Sequence, residues 1–461
     1  MKVKKIEVKN LFGTFNHVIQ LNTVEQVTII HGPNGFGKTI LLNMLFSFFK
    51  GRFYDLLNIP FNEFLLEFDD GKTVLIKKVR VATLSQIQGN KEPLSDIATI
   101  LEFEYRENAN SEPQPFQYRT LSADDIEIPL NIIDRRLPEF TRVGPTSWVH
   151  DFTGEKYSLD MIINQYGDKL KISNLNLLKL PPWLNTLIAN KSVYLIKTQR
   201  LLSFSGSDRR VRERSYGSDR ESVSPTPVVI KYSNEITQRI GDILASNSKL
   251  SQSLDRTFPI RVVKLRKDQY LTKKEAETNL LHLEEKRKNL ADADLLNKQE
   301  IDLKELLKFD KSDIKMLTVY VKDVKEKLAE FDNIYNKISI LTTIIGNHFQ
   351  YKDFSISQEK GFVFTATNGN EIPLEFLSSG EQHELVLFYE LLFKVEPGSL
   401  ILIDEPELSL HVCWQTEFLS DLQKITQLIG LDAIIATHSP EIINERWDLT
   451  VELTGPKIGP K

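Results

Sequence analysis

Cysteine is nearly absent from this chain: Cys413 is the single one among 461 residues. One thiol closes no internal disulfide, so a reducing compartment is expected and with it a cytoplasmic location. Long apolar runs are missing as well. No stretch approaches the roughly 18 apolar residues that a membrane span needs, and charges interrupt the N-terminal MKVKKIEVKN too often for a signal peptide. No membrane partner is therefore expected. Charge of one sign does not prevail either. The formal net charge is −5 with 26% charged residues, so nothing global demands nucleic acid, and a basic patch would have to be local. What the chain does have is 41% hydrophobic residues, ample for packed cores in two or three structural units.

Three short apolar runs stand out: Val27-Thr28-Ile29-Ile30, Leu400-Ile401-Leu402-Ile403 and Ala433-Ile434-Ile435-Ala436. Such runs mark parallel strands covered on both faces. Other segments alternate or turn as antiparallel strands do. Ile6, Val8 and Leu11 precede a turn at Gly13, and Val18 to Leu21 follows it. FLLEF and TVLIKKV flank Asp69-Asp70-Gly71-Lys72, which predicts a hairpin over 64–80. Leu101 to Tyr105 reads as another strand; residues 353–374 return to strands about Asn368-Gly369; and Leu449 to Leu453 is a short last one. Residues 107–116 and 205–226 are polar and read as loops, the second as a boundary.

Residues 272–346 have a helical rhythm. Thr272 and Glu275 form a capping box, and Ala276, Leu280, Leu283 and Leu290 follow at helical spacing. Ile314, Leu317, Val321, Val324, Leu328, Phe331, Tyr335 and Ile338 make a heptad seam. A continuous helix from Asp313 to Gly346 would be about 50 Å long. The pattern fits an arm folded back on itself, or an ordinary helical subdomain. It leaves open whether the seam pairs within one chain or between chains. The fold class that results is α/β: a mixed sheet, an antiparallel β subdomain and an inserted helical or coiled-coil arm. The expected division is one lobe over 1–204, the helical insertion over 205–350 and a second lobe over 351–461.

The chemistry sits at the strand ends. Gly32-Pro33-Asn34-Gly35-Phe36-Gly37-Lys38-Thr39 matches the phosphate-binding pattern G-x-x-x-x-G-K-[ST], entered by a strand and left by the apolar stretch Ile40–Phe49. Backbone amides from Asn34, Gly35, Phe36 and Gly37, with the helix dipole behind them, would cradle a phosphate chain. Lys38 would bridge its β- and γ-phosphates, and Thr39 would ligate Mg²⁺. The run Ser399–Glu405 ends in Asp404 and Glu405. Asp404 would hold the same Mg²⁺, and Glu405 would act as general base on the attacking water. ATP and Mg²⁺ are thus the expected substrate and cofactor, and the expected reaction is hydrolysis to ADP and phosphate.

Leu377-Ser378-Ser379-Gly380-Glu381-Gln382 resembles the signature L-S-G-G-Q of ABC-type ATPases, with Ser379 in place of a glycine and Glu381 in place of glutamine. Without that resemblance, it reads as a serine cap on a helix. With it, Ser378 and the amides of Ser379 and Gly380 would complete the ATP site of a second chain, which implies a homodimer or a higher homo-oligomer. The same resemblance makes His438 the switch histidine beside the γ-phosphate. It makes Gln199 the glutamine that senses Mg²⁺ and water, and Ser409-Leu410-His411 the loop that crosses to the partner.

Lys38 and Asp404 stand 366 positions apart, an interval that resembles the SMC, RecF and OLD group, whose helical insertions interrupt the ATPase. Asp404-Glu405-Pro406-Glu407-Leu408-Ser409-Leu410-His411 looks OLD-like, yet only 23 residues follow His438, too few for the nuclease domain of that branch. The stretches VKNLFGTFNHVIQLN, TIIHGPNGFGKT, IKTQRLLS and LSQSLDRTFP resemble the AriA-type ATPase subunits of PARIS antiphage systems, with the PtuA type of Septu second. That resemblance implies a sensor or scaffold ATPase with no nuclease domain of its own. Its partner would be an effector nuclease on a separate chain, of TOPRIM or DUF4435 type, and its trigger a phage protein; the Septu resemblance implies an HNH nuclease as partner instead. An SMC- or RecF-like DNA-repair or DNA-tethering ATPase is the alternative. DNA could then meet Arg200, Arg209, Arg210, Arg212 and Arg214, although Asp208, Glu213 and Asp219 interleave with them.

Overall fold

The computed structural model describes residues 1–83, 96–119, 130–150, 156–170, 180–197, 228–298, 307–310, 312–408 and 410–455. Gln199, Ser409 and the 205–226 boundary lie outside them, as does the arginine group at 200–214. The chain forms two compact units, Met1–Gln199 with Val395–Lys461, and Arg200–Lys394.

The centre of the first unit is a five-stranded parallel sheet. Its order is Val193–Lys197, Leu400–Asp404, Asp432–Thr437, Val27–His31 and Thr450–Glu452. The three apolar runs are its middle strands, and their registers align Ile29 with Ile435 and Ile435 with Ile403. All five point the same way, so His31, Asp404 and Thr437 finish at one edge. The helix Lys38–Phe49 packs on this sheet and buries Leu41, Leu42, Met44, Leu45, Phe48 and Phe49. Each fully buried side chain of this size contributes about 2–3 kcal/mol, which is why a helix apolar almost all round is stable here.

Against the same core lies a six-stranded antiparallel sheet. It runs Phe15–Gln20, Val3–Leu11, Glu63–Phe68, Thr73–Thr83, Asp96–Arg106 and Gln114–Tyr118. The expected hairpin is present, with Gly71 at φ 83° in its turn. The polar loop is shorter than its composition predicts. Residues 114–116 join the edge strand, and Phe116 pairs with Phe103. A small sheet (Phe140–Gly144, Ser147–His150, Lys156–Ser158) with the helices Leu130–Arg136 and Leu159–Leu170 was not foreseen. It forms its own core around Trp148, whose Nε1 donates to Asp134 at 2.7 Å.

The second unit combines long helices with three antiparallel strands, Lys352–Ser357, Gly361–Ala366 and Glu371–Ile372. Its largest element, the 37-residue helix Val228–Lys264, is about 55 Å long. The sequence did not announce it, because its buried residues stop at Ile240 and Pro259 sits inside it. The helix Lys273–Asp292 begins at the expected capping box: Thr272 Oγ1 accepts from the Glu275 amide at 3.2 Å, and Glu275 accepts from the Thr272 amide at 2.7 Å. The heptad seam is divided, with helices Ile314–Ala329 and Asp332–His348 meeting at Glu330–Phe331. It pairs within the chain. The helix from Ile314 packs on both earlier helices, Arg261 pairs with Asp323, and Lys327 reaches Asp255 at 2.8 Å.

Residues 351–394 belong with this helical unit, not with 395–461 as a boundary at 350/351 expects. The reason is local. Ser233 on the long helix donates to the Lys360 carbonyl at 3.1 Å and accepts from the Phe362 amide at 2.8 Å. Gly361 between them has φ +73°, and a Cβ there would meet the Ser233 carbonyl at 2.3 Å. Among the described residues, no helix is long and apolar enough to cross a membrane.

Candidate functional site

The strand Val27–His31 delivers the chain to the 32–37 loop at the sheet's carboxyl edge, where open α/β sheets bind ligands. Gly37 is sterically required: its φ is +89°, and a Cβ would meet Leu11 Cδ2 at 2.7 Å. The helix that follows has no side-chain cap, so its first amides are open to an anion. They face a cleft of about 320 Å³ lined by Phe12, Asn34, Gly35, Gly37, Lys38, Thr39, Ile40 and Glu405. That volume suits a small ligand. Phe36 does not line the cleft. Its ring tilts against Phe15 with centroids 5.1 Å apart, and His17 Nε2 lies 2.9 Å from its carbonyl. Burial lowers the His17 pKa, and the bond to that carbonyl offsets only part of the shift. The imidazole is thus a neutral brace under the loop.

Lys38 folds over the loop, its Nζ donating to the carbonyls of Gly32 at 2.7 Å and Pro33 at 3.3 Å. Thr39 Oγ1 donates to Asp404 Oδ1 at 3.0 Å. Two residues 365 positions apart thereby place a hydroxyl and a carboxylate side by side, the hard oxygen donors that suit Mg²⁺. Glu405 leaves the strand at φ 48°, a conformation costing about 1–2 kcal/mol for a residue with a Cβ. Its amide donates to the Ala436 carbonyl at 2.8 Å, which pins the turn and sets the carboxylate on the cleft wall.

His438 follows the neighbouring strand. Its Nδ1 lies 3.9 Å from Glu405 Oε1 but 3.1 Å from Glu407 Oε1, and its own amide donates to that same oxygen at 3.0 Å. The Glu407 side chain is 6% exposed, and its Oε2 has no hydrogen-bond partner among the described residues. Gln415 ties the segment down, donating to the carbonyls of Glu407 at 3.3 Å and Leu410 at 3.2 Å while accepting from Ser439 Oγ at 2.9 Å. Sequence reading assigned no role to Glu407, Gln415 or Phe12. Two positions after Glu405, Glu407 looks like another surface acid; only the turn reveals that it holds the histidine.

With Glu407 accepting at Nδ1, Nε2 is the ring nitrogen of His438 left for another partner. On the sequence expectation that His438 serves ATP hydrolysis, Glu407→Gln should lower turnover about 10-fold with KM unchanged. In a His438→Ala background it should cost nothing further. A multiplicative loss in the double variant, from a double-mutant kinetic cycle, would mean that Glu407 acts elsewhere.

The residues that resemble the signature lie in the second unit. Ser378 caps the helix Ser379–Phe393, accepting from the Glu381 amide at 3.3 Å, while Glu381 accepts from the Ser378 amide at 2.8 Å. Ser378 and Ser379 are exposed, Gly380 is half-buried, and the neighbouring Phe376 is 78% exposed. The departure at Glu381 has a structural reason, for its carboxylate closes the capping box and pairs with Lys352 at 2.6 Å. Burial works against its ionisation, but the bonds from Lys352 and Ser378 outweigh it and hold the carboxyl below its usual value of 4.5. A carboxyl depressed on folding stabilises above its unfolded pKa and loses that contribution as pH falls through the folded one. Acid unfolding followed by circular dichroism should therefore show Glu381→Gln less stable than wild type at neutral pH, with the gap closing as pH drops below about 4.5.

A family model described as "AAA ATPase domain" matches residues 1–443. Among solved structures, the Smc head domain with an extended coiled coil, bound to the C-terminal domain of ScpA and derived from Pyrococcus furiosus, is 14% identical. The alignment covers 96% of this chain and 91% of that one with a TM-score of 0.33. The SMC head domain from Thermotoga maritima is 11% identical, with 98% and 95% covered and a TM-score of 0.30. No curated protein matches the chain.

Proposed function

We propose, from the premise that the chain belongs to the AAA ATPase domain family, that it binds and hydrolyses ATP with Mg²⁺ at the cleft between the 32–39 loop and the Asp404–Glu405 turn. The observation that carries this reading is the 3.0 Å bond between Thr39 and Asp404, which makes one site of two distant segments. Loop amides and Lys38 hold the phosphates. Thr39 and Asp404 supply the oxygens for Mg²⁺, which would neutralise phosphate charge when bound. Glu405 takes the proton of the attacking water, and His438, held by Glu407, orients it. Phe12, 42% exposed on the cleft wall, offers a ring face to the base.

Each site is completed by the Ser378 helix start of a second chain. The support is an anion-seeking helix terminus left exposed at Ser378 and Ser379, together with the signature resemblance. Lys38→Ala and Ser378→Arg chains should each be inactive alone. Mixed in equal amounts, they should recover about a quarter of wild-type turnover, because half the dimers carry one intact site. No recovery, with both variants folded, would refute the shared site.

In this reading the ATPase serves as the sensor or scaffold subunit of an antiphage complex and holds a separately encoded effector nuclease. The support is the set of sequence motifs that resemble AriA-type subunits and a helical unit inserted between the P-loop and the carboxylate strand. Co-purification with a TOPRIM- or DUF4435-type nuclease encoded next door tests it.

A further inference from the structure

In the shaft of the helical unit some of the cations are paired with acids. Arg261 pairs with Asp323, Lys286 with Asp332, Arg287 with Glu284 and Lys327 with Asp255. At one end of it six exposed cations among the described residues are not. There the helix Val228–Lys264 ends, a short turn covers Lys267–Gln269, and the helix from Lys273 begins. Residues 255–275 carry seven lysines and arginines, of which Arg261 is the one paired with Asp323, against three acids, Asp255, Asp268 and Glu275, in a chain whose net charge is −5. Lys264, Arg266, Lys267, Lys273, Lys274 and Lys308 are exposed and form no ion pair among the described residues. The start of the helix Ile314–Ala329 joins the same end: Lys315 Nζ reaches the Val263 carbonyl at 3.2 Å, and the Leu271 amide reaches Thr318 Oγ1 at 3.1 Å. Between the cations stand three aliphatic side chains, Ile260 at 56% exposed, Val263 at 76% and Met316 at 51%.

Unpaired cations alone would suit phosphates. Exposed aliphatic side chains set among them ask for something more, since contact with a phosphate backbone leaves them wet while a protein surface covers them. We infer that this end of the helical unit is a docking surface for an acidic polypeptide segment that also carries aliphatic side chains, its carboxylates meeting the lysines and arginines and its apolar face covering Ile260, Val263 and Met316. The surface lies in the second unit and stands apart from the nucleotide reading.

The test uses the full chain without nucleotide and fluorescence anisotropy at 150 mM salt. The probes are a labelled 20-residue peptide of Glu and Leu in amphipathic helical order, poly-glutamate of the same length and a 20-base-pair DNA duplex. The Glu–Leu peptide should bind at least about 10-fold more tightly than either other probe. Its affinity should fall at least about 10-fold in Lys264→Glu/Arg266→Glu/Lys267→Glu and about 3- to 10-fold in Val263→Ser/Met316→Ser. All five positions are on the surface, and unchanged helical circular dichroism reports that both variants fold. Duplex bound as tightly as the peptide would overturn the inference in favour of phosphate binding. So would a peptide that fails to bind, or one that binds both folded variants as it binds wild type.

Discussion

Lys38→Ala should abolish measurable ATP binding, a loss of at least about 100-fold or roughly 3 kcal/mol. The side chain is 5% exposed and brings a full positive charge to a loop whose other phosphate donors are neutral amides. A charge-assisted bond to phosphate in a partly dry cleft is stronger than a neutral one. Alanine loses that bond and also strips a donor from the carbonyls of Gly32 and Pro33, which Lys38 satisfies at 2.7 and 3.3 Å. Loop and phosphate grip are therefore lost together. Thermal unfolding in millimolar Mg-ATP makes the measurement. Wild type should gain stability with nucleotide concentration by mass action, and the variant should gain none. Retained affinity in Lys38→Ala would remove the P-loop assignment, and with it the proposed ATPase.

Glu405→Gln should have the opposite binding phenotype, keeping ATP and losing turnover by about 10²- to 10³-fold. Glutamine has the same length and the same cost at φ 48°, so the turn pinned to the Ala436 carbonyl survives. Only the ability to accept a proton from water is lost. If hydrolysis is what reopens a shared site, the variant should accumulate as an ATP-bound dimer in light scattering, while wild type returns to its nucleotide-free state. Unchanged turnover would mean that another group is the base. Slow turnover without a stable dimer would leave the base assignment standing and count against the shared site.

Much of the ATPase was legible in one dimension because the chemistry is local. A P-loop needs its glycines and Lys38-Thr39 in one run, so its identity can be read from eight consecutive residues. The same holds for the apolar strands, whose composition reports burial on both faces, and for Thr272 with Glu275, whose reciprocal bonds span three residues. The 37-residue helix and the Trp148 subdomain were not legible. The first packs along only part of its length, and the second is built from short strands whose burial comes from neighbours far off in sequence.

By itself the sequence determined the parallel-sheet core, the P-loop and the order of the segments that meet at the cleft, since each rests on residues adjacent in the chain. Tertiary structure alone decided that Thr39 meets Asp404, that Glu407 and not Glu405 takes Nδ1 of His438, and that residues 351–394 pack with the helical insertion. Each of these depends on where separate strand ends and helix faces come to lie. A hydrogen bond between residues hundreds of positions apart leaves no periodicity to read, because it is set by sheet register and by turns such as the one at Glu405.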